Sequence, residues 1–170
     1  MNPLLKSVLL SREKLKKVEF LDEHPECFDE AMSIALTDEK PFGWRATWMI
    51  GGYMKKNDPR ITPYISEIID VLPELEDGHQ REFIKILLKM DMEEEQESRL
   101  YDYSTTLWEQ VQKKPSVRHF AFQCMIRFAE KYPELNHEIL VLAQPHYVNA
   151  LSPGIRKSIL KAIRKIEESQ

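Results

Sequence analysis

The chain has 170 residues, 31% of them charged and 42% hydrophobic, with 5 glycines and 10 prolines. That length suits about one domain, and the composition excludes collagen-like, low-complexity and wholly disordered chains. A formal net charge of −4 argues against a dedicated nucleic-acid binder, because such proteins usually carry a basic surplus.

Ala, Glu, Leu, Lys and Arg supply 70 residues against 26 of Val, Ile and Thr, a balance that favours helix over sheet. In chain order, residues 3–22 come first. They mix Leu4, Leu5, Val8, Leu15, Val18, Phe20 and Leu21 with charges and read as one or two helices that cover the first apolar face of whatever follows. Lys6 interrupts the short apolar start, and no small-residue cleavage site precedes the charged run from Arg12 to Lys17, so this segment is not a signal peptide. No window approaches the roughly 18 apolar residues that span a bilayer; a soluble, cytoplasmic protein without a membrane partner is expected.

From residue 28 onward apolar residues recur at spacings of three and four. Phe28, Ala31, Met32 and Ala35 make one such face, and Ile61, Ile65, Ile68, Ile69 and Leu72 another. Leu100, Tyr103, Leu107 and Val111 make a third, and Ile139, Leu142 and Ala143 a fourth. This is the period of amphipathic helices. A second helix follows each, at about 43–56, 78–90, 116–131 and 153–167, opened by Pro41, Asp77, Pro115 and Pro153. Proline costs nothing at a helix start and a carboxylate caps one.

Every second helix carries an arginine three or four residues after that opening residue: Arg45, Arg81, Arg118 and Arg156, separated by 36, 37 and 38 residues. Near-equal steps of a helix-turn-helix unit mark a helical repeat array. A single domain over 1–170 is expected, with a cap at 1–24 and repeats at approximately 25–57, 60–91, 94–131 and 134–168.

Pro41-Phe42-Gly43-Trp44-Arg45-Ala46, Pro115-Ser116-Val117-Arg118-His119-Phe120-Ala121 and Pro153-Gly154-Ile155-Arg156 resemble the Pro-x-x-Arg-x-x-Ala pattern of the HEAT-repeat family, in particular small bacterial members. The second repeat departs from it, with Asp77-Gly78-His79-Gln80-Arg81 in place of the proline form. The resemblance implies an all-α, right-handed α-α superhelix, a HEAT-like solenoid of about four helical pairs behind an N-terminal cap. It also implies that the arginines hold repeats together.

Two roles are open for these arginines. An arginine in the first turn of a helix meets the positive end of the helix dipole, so it needs a compensating partner, either turn carbonyls or an acid such as Asp38 or Asp77. Alternatively the second helices line a concave face, and the arginines meet an acidic ligand there. The windows 43–60, 79–89, 113–131 and 153–170 hold 17 Lys and Arg against 5 Asp and Glu; the remainder holds 7 against 23. Such segregation predicts faces of opposite sign. Candidate binding residues are therefore Arg45, Arg81, Arg118 and Arg156, with Lys85, Lys89, Lys157 and Lys161 at helical spacing; Lys165 continues the four-residue stripe of the last two. Trp44 and Trp48, four residues apart, add an aromatic platform or pack between repeats. Gly51-Gly52, inside the first such helix, marks a kink, a close neighbour or room for a ligand.

Catalytic signatures are missing from the sequence. The histidines His24, His79, His119, His137 and His146 show no metal-binding spacing, and no nucleophile elbow, phosphate loop or dinucleotide fingerprint occurs. Cys27 and Cys124 sit in apolar helical patterns, as buried reduced thiols do. The expectation is a non-catalytic module without cofactor or metal that binds an unknown, acidic protein partner and little or no nucleic acid. The alternatives are a nucleic-acid binder similar to the HEAT-like alkylpurine DNA glycosylases, whose catalytic Asp is not assignable here, and a structural homo-oligomer.

Overall fold

Helices with one apolar face bury that face against each other. In the computed structural model, which describes residues 1–168 and only the backbone at 14–18, the described residues form eleven α-helices joined by turns and short 3-10 segments, with no strand. Leu15 and Val18 of the expected cap face, and Ser169 and Gln170 at the end of the expected domain, lie outside the described residues. The chain divides into two compact units, Met1–Met92 and Glu93–Gln170.

The first unit holds α1 (Pro3–Leu10), α2 (Lys14–Glu23), α3 (Phe28–Ala35), α4 (Phe42–Tyr53), α5 (Ile65–Val71) and α6 (Asp77–Leu87). Helix α4 is its centre and packs on α1, α2, α3 and α6. Leu5, Leu9, Phe20 and Leu21 of the first two helices are buried, as a cap over an apolar face requires, while Leu4 points outward.

Small residues let α4 sit so close to its neighbours. A Cβ on Gly43 would lie 2.1 Å from the carbonyl oxygen of Thr37, and one on Gly51 would lie 3.3 Å from Cγ1 of Ile86. The close approach of α6 therefore accounts for Gly51. Next to Gly43, Thr47 Oγ1 and His79 Nε2 share a buried hydrogen bond of 2.7 Å between α4 and α6. The His79 ring stacks on Phe83, and burial pushes its pKa below the usual imidazole value.

Helix α4 ends before Lys55-Lys56-Asn57. Asn57 has φ 53°, a left-handed conformation that Asn tolerates better than most residues. Its backbone N–H donates to Lys89 O at 2.9 Å, and its side-chain oxygen accepts from Asp91 N at 2.7 Å, which ties this turn to the end of α6. Beside it the buried Asp58 accepts from Arg60 Nη2 at 2.6 Å. The Arg60 guanidinium lies 4.7 and 4.5 Å from the ring centres of Phe28 and Tyr53, so cation–π attraction adds to the ion pair. Arg60 holds the Asp58 carboxyl below its ordinary pKa.

The second unit holds α7 (Glu94–Glu109), α8 (Pro115–Lys131), α9 (Asn136–Leu142), α10 (Pro145–Val148) and α11 (Pro153–Glu168). Helix α7 starts well before its apolar spacing begins, because Glu93 and Gln96 form a reciprocal capping box that satisfies two free backbone N–H groups. Helix α7 pairs with α8 around a core that includes Leu100, Leu107, Trp108, Phe122 and Phe128. Trp108 and Tyr101 are buried, whereas Tyr103 is only half-buried. Helix α11 presents Ile159, Ile163 and Ile166 inward and packs on α8 and α9. The four-residue α10 was not apparent from periodicity, being too short to show one.

Both cysteines are free and buried. Burial pushes the Cys124 thiol up to about 12, which removes the thiolate that redox or nucleophilic chemistry needs.

Two outcomes follow from α4. Gly43→Ala drives a methyl into a backbone carbonyl, so it should destabilise the first unit by about 2 kcal/mol or more in urea titration. The buried His79 takes up a proton less readily in the folded than in the unfolded state, so stability should fall as pH drops below about 6.5. Urea midpoints at pH 7.5 and 5.5 should show that loss, and His79→Gln should flatten it.

Candidate protein-binding face

A helix leaves its last four carbonyls without intrahelical partners. The long donors of the second helices go to those groups. Arg45 Nη1 donates to Leu9 O in the last turn of α1 at 3.0 Å. Arg118 Nε donates to Trp108 O in the last turn of α7 at 2.9 Å, and its Nη2 to Tyr147 O in α10 at 2.9 Å. Arg156 Nη2 donates to Asn149 O at 2.9 Å and Leu151 O at 3.3 Å, just beyond α10. Lys89 Nζ donates to Gly51 O in the last turn of α4 at 2.8 Å. The partners of these arginines are carbonyls, and Asp38 and Asp77 take no part.

The second repeat corrects the expected ladder. Gln80, not Arg81, occupies the fourth helical position that Arg45, Arg118 and Arg156 hold in their helices, and its Nε2 donates to Leu72 O beyond α5 at 2.9 Å. Arg81 is one residue out of that register. It donates through Nε and Nη2 to Glu82 at 3.0 and 2.7 Å, and Lys85 Nζ reaches the other Glu82 oxygen at 2.7 Å. Glu82 is buried, so these two cations neutralise a carboxylate inside the protein and do not form an open row.

Arg118 is the extreme case. It is fully buried, its guanidinium carbon lies 4.6 Å from the Trp108 ring centre, and no carboxylate pairs with it among the described residues. Burial lowers its pKa, yet guanidinium stays charged near neutrality. The carbonyl dipoles at the end of α7 and the indole face carry the counter-charge. It is inaccessible to any ligand.

What stays open is on α11. Lys157, Lys161, Arg164 and Lys165 are exposed and take no ion pair among the described residues. Leu160, 39% exposed, lies among them. Between α11 and α8 runs a groove of about 620 Å³, with Ile126, Ala129, Ala162 and Ile166 as its apolar lining and Lys161 and Lys165 among its polar residues. The four-residue spacing singles out Lys157, Lys161 and Lys165 in the sequence but passes over Arg164 and Leu160. Continuing the helical period along α11 reaches them, whereas the groove depends on how α8 and α11 pack. In the first unit, Trp44 is 43% exposed and its indole nitrogen lies near Gly78 at the start of α6; Trp48 is half-buried.

A protein-family model described as a HEAT repeat domain matches residues 5–166. The chain is a HEAT-repeat protein. Its fold class is accordingly all-α and HEAT-like. No curated protein and no solved structure matches it. HEAT repeats generally mediate protein–protein interaction or scaffolding. In this HEAT-repeat protein no group of three or more metal-ligating side chains gathers among the described residues, and no described helix is long and apolar enough to cross a membrane.

Removing the Arg118 side chain strands the buried Trp108 carbonyl and the partly buried Tyr147 carbonyl and leaves a cavity beside Trp108. Arg118→Ala should therefore cost about 3 kcal/mol or more of stability in the second unit. Arg118→Lys should recover only part of that, since one ammonium does not reproduce the fork; chemical denaturation of both variants checks this.

Proposed function

We propose that this protein is a non-catalytic, cytoplasmic interaction module whose α11 face binds an acidic, partly apolar segment of a protein partner. The single observation behind this reading is the contrast within the basic set. Arg45, Lys89, Arg118 and Arg156 are engaged with carbonyls and Arg81 and Lys85 with Glu82. Lys157, Lys161, Arg164 and Lys165 have no such partner and surround apolar surface. Unpaired cations steer an acidic segment towards the face, and apolar side chains of that segment fill the groove, where burial supplies most of the affinity.

Titration of a fluorescein-labelled amphipathic peptide rich in Glu and Leu into the full chain tests this. Lys157→Glu/Lys161→Glu should weaken binding at least tenfold, and the wild-type affinity should fall with added salt. The exposed pair Lys55→Glu/Lys56→Glu, with the same charge change, should leave affinity within twofold. Equal losses in both variants would refute the α11 assignment. Steeply salt-dependent, submicromolar binding of duplex DNA, abolished by the α11 variant, would favour the nucleic-acid reading instead.

A further inference from the structure

Helices α9 and α11 of the second unit pack on each other and carry exposed charge of opposite sign. On α9, Glu138 and Val141 are exposed, and so is Glu134 in the turn that opens the helix. Offsets of four and three residues put Glu134, Glu138 and Val141 on one stripe. Lys157, Lys161 and Arg164 repeat the same offsets on α11, and Leu160 lies among them. Val141 is 51% and Leu160 39% exposed. Each stripe therefore joins like charges to one large apolar side chain that the fold leaves uncovered.

The axes of packed helices lie about 8–10 Å apart, yet no ion pair joins these two stripes among the described residues. Their charges are left for contacts outside the chain. A hollow of about 580 Å³ lies along the α11 stripe, lined by Pro153, Arg156, Lys157, Leu160, Lys161 and Arg164, with room for an apolar side chain of a facing helix. An acidic stripe with one apolar residue is the complement of that lining, and α9 of another copy supplies one. Where neighbouring helices carry the two halves of a complementary pair, a twofold axis engages both at once. Each contact is then made twice, so that short helices suffice.

We propose that the α11 face is occupied by α9 of a second copy of this chain, in a twofold-symmetric dimer. Glu134 and Glu138 of one protomer face Lys157, Lys161 and Arg164 of its partner, and Val141 meets Leu160. This assignment rests on the α11 reading given above and names its partner.

Sedimentation velocity of the full chain between about 5 and 200 µM tests this. A reversible monomer–dimer equilibrium is expected, with no larger species, and its dissociation constant should rise about fivefold or more between 50 and 500 mM NaCl. Lys161→Glu/Arg164→Glu and Glu134→Lys/Glu138→Lys should each weaken self-association at least tenfold, because each sets like charges against each other. Mixed in equal amounts, the two variants should form a heterodimer within about threefold of the wild-type affinity, since both of its contacts again join opposite charges. Misfolded variants do not produce that rescue. Lys55→Glu/Lys56→Glu should leave the equilibrium within twofold. A mixture that associates no better than either variant alone would overturn the proposal, as would growth into species larger than a dimer. The peptide rich in Glu and Leu separates this inference from the reading beneath it. A chain that stays monomeric to 200 µM but binds the peptide through Lys157 and Lys161 overturns the second-copy assignment alone. One that stays monomeric and binds no peptide through them overturns both.

Discussion

Carbonyls left open where helices end are the constraint around which this molecule is organised. A chain of many short helices has many such ends, and packing helices into repeats buries several of them. A buried carbonyl without a donor costs about 1–3 kcal/mol, so an array of this kind requires donors that reach across from neighbouring helices. Gln80 and Arg118 are such donors to buried carbonyls, Arg45 and Lys89 reach partly buried ones, and Arg156 does the same at the more exposed end of α10. An arginine near the start of its own helix looks misplaced against the dipole, but its guanidinium lies at the negative end of another helix, where a cation is favoured. Gln80 performs the same task without charge, so the requirement at that position is for a long donor, and a cation is one way to meet it.

This changes what the uneven charge distribution means. Second helices are basic partly because they supply carbonyl donors, and partly because Glu82 and Glu97 are buried carboxylates that recruit Arg81, Lys85 and Lys131. Once these are set aside, the candidate cations that remain accessible narrow to those of α11, with Lys55 and Lys56 exposed in the first unit. Packing rather than recognition also accounts for Gly43 and Gly51, whose missing side chains let backbone and Ile86 come near. Among the charge that the packing leaves uncommitted in the second unit are the exposed cations of α11.

Much of the fold was legible because its signals are local. The three-and-four spacing, the prolines and aspartate at helix starts and the step of 36 to 38 residues placed α3 to α9 and α11 within a few residues of their observed bounds. The presence of α10 is not legible in the sequence, because it is a single turn held by its surroundings, with Tyr147 O accepting from Arg118. The candidate site was legible only in part. Lys157 and Lys161 were identified from helical spacing, but the same spacing made Arg81, Lys85 and Lys89 look equivalent to them.

The sequence by itself determined that this is an all-helical repeat protein, where its helices start, and that its second helices carry the positive charge, because hydrophobic period, capping residues and charge are properties of neighbours along the chain. Only the tertiary structure decided which cations are spent inside the molecule and which remain on its surface. That distinction rests on distances between residues up to 38 positions apart, as with Lys89 and Gly51. A guanidinium has the same formula whether it faces water or the end of another helix, and only packing settles which it meets.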